Sequence, residues 1–202
     1  MVAMIETTPF TLTGRHVQLE PLTPDHLGAL TGVLLSEELW RWLPRPVKSS
    51  ADLQLWIEEA LAEQRRGESL PFATVSLADK RVVGTTRFMA IAAAHRRVEI
   101  GGTLLGRPWQ RTAANTEAKF LMLRHAFETW HCARVELKTH SRNERSRAAI
   151  LRLGAVEEAT LRSHMQQPDG TRRDTVYFSI LDSEWPAVRA RLEERMAQSN
   201  SS

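Results

Sequence analysis

Apolar residues recur along this 202-residue chain at two spacings, and each spacing implies a different element. In "RHVQLEPL" Val17 and Leu19 stand two apart, which predicts a first strand. "TPDHLGALTGVLL" follows as a helix, with Thr23 as N-cap and Pro24 at the first helical position. "LWRWLPRPV" carries two tryptophans and is broken by prolines, so it reads as a loop. "SADLQLWIEEALAEQRRG" is an amphipathic helix. Leu53, Trp56, Ile57, Ala60 and Leu61 share one face, and Gly67 stops it. "PFATVSLADKRVVGTTRFMAI" supplies two strands around Ala78-Asp79-Lys80, and "RRVEIGGTLL" a third. On that third strand Val98, Ile100, Gly102 and Leu104 alternate with Glu99, Gly101 and Thr103. A long apolar helix is expected from about Asn115 to Trp130, then a strand at "RVELKTH" and a short helix at "ERSRAAILRLG" closed by Gly154. "EEATLRSHMQQPDGTRRDTVYFSI" predicts a hairpin about Pro168-Asp169-Gly170, and "SEWPAVRARLEERM" a last helix. This order predicts a mixed α/β sheet with helices on both faces.

The chain shows no internal repeat and no interdomain linker. A single domain is expected over 14–197, after an N-terminal extension at 1–13 and before a disordered tail at 198–202. A hydrophobic content of 42% with 25% charged residues fits a globular protein rather than a disordered one. Twenty-seven Lys and Arg stand against 24 Asp and Glu, so the net charge of +3 gives no reason to expect nucleic acid as a partner. Cys132 is the only cysteine, which excludes an internal disulfide and fits a reducing cytoplasm. The first residues lack the pattern of a signal peptide, and no apolar run approaches the roughly 20 residues of a membrane span. A soluble, cytoplasmic protein with no membrane partner is expected.

The stretch "PWQRTAANTEAKFLMLRHAFETW" sets small polar residues directly before a buried helix. On its residues alone this is a plain helix start or an anion site, because a helix N-terminus offers unpaired N–H groups and a partial positive charge. The chain resembles the GNAT superfamily of acyl-CoA-dependent N-acyltransferases, over about Gly14 to Trp185. Within it the likeness is to the ribosomal-protein N-terminal acetyltransferases of the RimJ/RimL type. The family's diphosphate loop, Q/R-x-x-G-x-G/A, falls on Gln110, Arg111, Thr112, Ala113, Ala114 and Asn115. "NTEA" resembles the TEA that follows in this branch, "EIGG" its E-I-G strand, and "NERSRAAILRLGA" its N-x-x-S-x-x-x-x-x-K-x-G-F segment. Both family glycines are replaced, by Ala113 and Asn115. Alanine fits a helical first turn without strain, and asparagine tolerates the left-handed region and caps helices well.

The resemblance implies a twisted, mostly antiparallel mixed sheet of about seven strands. It implies acetyl-CoA as co-substrate, no metal, and a primary amine acceptor, either a protein N-terminus or a small molecule; it leaves room for a homodimer. Gly102, Thr103, Leu104, Gln110 to Asn115, Thr116, Asn143 and Ser146 are the implied cofactor contacts. Two alternatives stay open: a non-catalytic acyl-CoA-binding or regulatory module, and a transferase for a longer acyl-CoA such as succinyl-CoA.

Direct acyl transfer needs a base for the amine, a donor for the oxyanion and a proton or hydrogen bond for the departing thiolate. Glu99 is the first candidate base, a carboxylate on a strand built for burial; a surface ion pair would explain it equally. Asn143 and Ser146 either contact the pantetheine and the thioester sulfur or cap and continue a helix. The tyrosine that many family members place four positions before the helix-ending glycine is Ile150 here. With a three-residue hairpin loop, His164 faces Asp174, and the two form either a base with its orienting carboxylate or a solvated cross-strand pair. Trp40, Trp42 and Trp56 belong to an acceptor groove or to the core.

Overall fold

A computed structural model describes residues 5–167 and 169–198. Strand β1, Leu12–Thr13, and β2, Val17–Pro21, lead into three helices: α1, Leu27–Leu34; α2, Glu37–Trp40; and α3, Ser50–Arg65. Ser49 caps α3, accepting from the Asp52 N–H while the Asp52 carboxylate accepts from the Ser49 N–H. Strands β3, Leu70–Ser76, β4, Arg81–Ala92, and β5, Arg97–Leu105, form a meander. Helix α4, Ala113–Arg124, crosses to β6, Arg134–His140; α5, Glu144–Leu153, precedes the hairpin of β7, Val156–Gln166, and β8, Arg172–Leu181; α6, Trp185–Gln198, follows.

The eight strands form one sheet in the order β1-β2-β3-β4-β5-β6-β8-β7. Every neighbour is antiparallel except β5 and β6, which α4 joins by a crossover and so leaves parallel. The eighth strand is the two-residue β1, which pairs with β2 through Leu12 and Leu19. Only Arg97 to Glu99 of β5 pair with β6, opposite Arg134 to Glu136. Beyond them the two strands separate.

One face of the sheet packs on α4. Val98, Ile100, Val135, Leu137, Val176 and Phe178 meet Leu121, Met122 and Leu123 there, and Trp185, Val188 and Leu192 of α6 close the layer. α4 is buried on several sides, the charged Glu117 and Lys119 included. Cys132 lies in this layer with none of its surface exposed, and burial pushes its thiol up to about 11. The other face, over β2 to β5, carries a second cluster from α1, α2 and α3, including Leu30, Leu34, Trp40, Leu53 and Ile57.

Three details differ from the sequence reading. α4 starts at Ala113, two residues before the expected Asn115, because Thr112 is its N-cap and accepts from the Ala114 N–H. The alternation on β5 breaks at Gly102. Thr85 pairs with Leu104 but Arg87 with Gly101, so β5 holds one extra residue there, with Gly102 at φ +58°. Ile100 therefore belongs to the α4 layer and Leu104 to the α1–α3 layer. On β7 a bulge lies between the pairs Leu161–Thr175 and Met165–Arg173. Pro168, part of the expected hairpin loop, and 199–202, most of the expected tail, lie outside the described residues.

Candidate active site

A cleft of about 570 Å³ opens where β5 and β6 diverge. Gly101 to Leu105 line one wall and Leu137 to Thr139 the other. The start of α4 closes one end, through Gln110, Arg111, Thr112, Asn115 and Thr116. Asn143, Ser146 and Ile150 of α5 and its cap stand beside them. Glu38, Leu39, Trp42 and Leu43, from α2 and the loop after it, cover the cleft from the other layer. Ten of the expected cofactor contacts thus line one cavity: Gly102, Thr103, Leu104, Gln110, Arg111, Thr112, Asn115, Thr116, Asn143 and Ser146. Ala113 and Ala114 do not line it, since the first turn of α4 directs them elsewhere.

The loop before α4 is held by its own polar groups. Gln110 Nε2 donates to the Leu105 carbonyl at 2.8 Å and the Thr112 hydroxyl to the Trp109 carbonyl at 2.7 Å. The left-handed residue is Arg111, at φ +64°, while Ala113 and Asn115 are helical. This accounts for the missing glycines: the turn needs its left-handed residue two positions earlier than the family's first glycine. Thr112 uses its hydroxyl on the Ala114 N–H, and the N–H groups of Thr112, Ala113 and Asn115 have no acceptor inside the helix. Asn143 caps α5, its Oδ1 accepting from the Ser146 N–H at 3.1 Å, while both side chains border the cleft.

Glu99 is 3% exposed and pairs with Lys138 at 2.9 Å. It does not line the cleft, but its Oε1 would stand 3.1 Å from a Cβ at Gly101, which does. The carboxylate therefore lies one backbone layer from the cavity. Tyr177 continues this row across the sheet, with the Lys138 Nζ 5.9 Å from its ring centre.

His164 and Asp174 do not meet as expected. Gln167 donates to the Thr171 carbonyl, as a three-residue loop requires, and Met165 pairs with Arg173. The β7 bulge then sets three residues, Arg162 to His164, against Asp174 alone. Ser163 takes φ +51° and its N–H donates to Asp174 Oδ1 at 2.7 Å. The His164 ring lies edge-on to Tyr177, at 5.7 Å, and neither His164 nor Asp174 lines the cleft. Of the tryptophans, Trp42 lines the cleft, whereas Trp40 and Trp56 pack on each other in the core.

Sequence reasoning missed two buried cationic side chains of the cleft. Lys119 of α4 is 5% exposed, and its ammonium donates to the hydroxyls of Thr86 (3.0 Å) and Thr103. With no carboxylate beside it, burial pulls its pKa down to about 7. A lysine inside the apolar run "AKFLML" was the available signal. Arg173 of β8 is also 5% exposed and lines the cleft. Nothing in "TRRDTVYF" distinguishes it from its neighbours.

Among the described residues no group of three or more His, Cys, Asp or Glu could hold a metal ion, and no helix is long and apolar enough to cross a membrane. A sheet opened between two parallel strands, with a helix start of unused N–H groups at the mouth of the opening, is a frame suited to an anionic ligand. The chain belongs to the acetyltransferase (GNAT) domain family, whose model matches residues 16–156. It is 30% identical over 122 residues to the uncharacterized N-acetyltransferase YoaA of Bacillus subtilis (strain 168), a match spanning 60% of this chain and 67% of that one. A GCN5-related N-acetyltransferase from Brucella melitensis superposes with a TM-score of 0.84 at 34% identity, covering 93% of this chain and 85% of that one. Mycobacterium smegmatis RimJ, solved in complex with CoA-disulfide, shares the fold with a TM-score of 0.81 at 24% identity, over 94% and 96% of the two chains.

Proposed function

We propose that the protein transfers an acetyl group from acetyl-CoA to a primary amine, within one catalytic domain that takes in β1 and Ile5 as well as the expected 14–197. The observation that carries this reading is the gathering of Gly102 to Leu104, the loop at Gln110 to Asn115, Asn143 and Ser146 around one cleft. On this reading the free N–H groups at the start of α4 take the diphosphate, and the pantetheine arm lies in the gap between β5 and β6. The amine nitrogen attacks the thioester carbonyl, the C–N bond forms and the C–S bond breaks. Glu99 takes the amine proton, directly or through a water, held in place by Lys138. Ser146 offers its hydroxyl to the departing thiolate, and Asn143 contacts the pantetheine while capping α5. The "EIGG", "NTEA" and "NERSRAAILRLGA" segments support the RimJ/RimL-like branch, and with it a peptide N-terminus or a small-molecule amine as acceptor.

The test is a screen of amine and peptide acceptors with acetyl-CoA, following release of the free thiol. Glu99→Gln should then bind acetyl-CoA as the native protein does, while kcat/KM falls by about 10² to 10⁴. Turnover equal to the native enzyme's would remove Glu99 from the mechanism. Acetyl-CoA binding with no turnover on any acceptor would instead favour a non-catalytic acyl-CoA-binding module.

A further inference from the structure

Arg173 is a permanent cation set into the wall of the cleft with almost nothing to neutralise it. A guanidinium has five N–H donors. Among the described residues Arg173 uses one, Nη1, which donates to the Trp42 carbonyl at 3.0 Å. Its Nε is buried without a partner, and no carboxylate forms an ion pair with it. The acid that influences it most is Glu99, and that carboxylate is already paired with Lys138 at 2.9 Å. An unpaired buried charge destabilises a fold, and an anion bound beside it removes that cost.

The phosphates of CoA are poorly placed to be that anion. The start of α4 follows β5, across the gap from β6 and β8, and the arginine it carries there, Arg111, is exposed. Arg173 sits instead against Trp42, on the strand that carries Tyr177 and pairs with β6 beside Lys138, the partner of Glu99. On the transferase reading, on which this step rests, that is where amine and thioester meet. The Trp42 carbonyl fixes Nη1 and so holds the guanidinium in place, which leaves Nη2, free of any hydrogen bond among the described residues, to meet a carboxylate.

We propose that Arg173 is the receptor for a carboxylate carried by one of the two reactants at the thioester end of the cleft. The carboxylate belongs either to the acceptor, an amino acid or an acidic N-terminal residue, or to the acyl chain of a dicarboxylic acyl-CoA. Matched pairs separate the two. On the acceptor side, glycine, β-alanine and 4-aminobutyrate are compared with their neutral amides, and a peptide opening on Asp with one opening on Asn. On the donor side, succinyl-CoA is compared with butyryl-CoA, which has the same chain length without the charge.

Each pair is followed by thiol release and by calorimetry, the acceptors being titrated into CoA-saturated protein. The charged member of at least one pair should win by about tenfold or more, the range of a charge-assisted hydrogen bond. In Arg173→Gln that ratio should fall to near one, and in Arg173→Lys, which keeps the charge but loses the guanidinium, it should fall part-way. If Arg173→Gln does not fold, the ratios in the native protein still decide. Charged and neutral members within twofold of each other in every pair, by both readouts, would overturn the proposal. Preference in binding without turnover would end the transferase reading and leave the carboxylate site standing; turnover without preference would do the reverse.

Discussion

Two charged residues two positions apart on α4, Glu117 and Lys119, are both buried and solve that problem differently. The Glu117 carboxylate accepts from the backbone N–H of Arg15, His16 and Val17 at 2.6 to 2.8 Å. It holds the entry to β2 against the central helix, so Glu117→Ala strands three donors. Each buried unsatisfied group costs about 1–3 kcal/mol, and part of that returns where water enters. A loss of about 3 kcal/mol or more is expected in denaturant unfolding; a loss under about 1 kcal/mol would show that water replaces the carboxylate. Lys119 has only hydroxyls, and its ammonium is costly to bury. Its pKa is about 7 in the fold, far below the ordinary 10.5, so the unfolded chain binds the extra proton between those values. The cost is complete below pH 7, shrinks as pH rises and vanishes above about 10.5. Lys119→Met should therefore stabilise the fold most below pH 7, and its advantage should shrink by about 1.4 kcal/mol per pH unit above that. A pH-independent effect would exclude titration of Lys119 as its cause. The sequence made Glu117 visible only as a letter of "NTEA". Its role depends on a segment 100 residues away, which no local pattern announces.

Among the elements, strands and helices were legible from apolar spacing, and the bulges at Gly102 and at Arg162 to His164 were not. The β5 bulge reverses the faces of Ile100 and Leu104 and directs Thr103 toward Lys119. Its only local sign was the pair Gly101-Gly102. Gly102→Ala forces a side chain into the left-handed region, at a cost of about 1–2 kcal/mol, and aims a Cβ at Arg87, which is tied to Glu63 of α3. Stability should fall by about that amount and acetyl-CoA affinity should fall with it, because Thr103 and Leu104 line the cleft. Gly102→Asn, which tolerates this conformation better, should lose less. Unchanged affinity in both variants would detach the bulge from cofactor binding. The β7 bulge had no sign at all. The reading of His164 opposite Asp174 assumed an unbroken ladder, and a two-residue excess on one strand is invisible when both faces of that strand are polar or exposed.

The molecule as a whole is a sheet in two unequal parts, β1 to β5 and β6 to β8, joined edge to edge by three paired residues and spanned on one face by α4. A ligand in the gap touches both parts, so acetyl-CoA at a hundred times its Kd should add about 2.7 kcal/mol and raise Tm by several degrees. Amide exchange should slow in Gly102 to Leu105 and Leu137 to His140, the diverging lengths of the two strands. A Tm gain with unchanged exchange there would place the ligand elsewhere. The order of elements predicted the sheet and its crossover; the width of the gap and the cations within it arise only when strands far apart in the chain are set side by side. The buried Cys132 has a practical consequence of its own. A chromogenic disulfide added during turnover meets no reactive sulfur on the folded protein, so colour counts released coenzyme alone. With substrate left out, the same reagent becomes a clock, since slow labelling can start only when the interior layer comes apart.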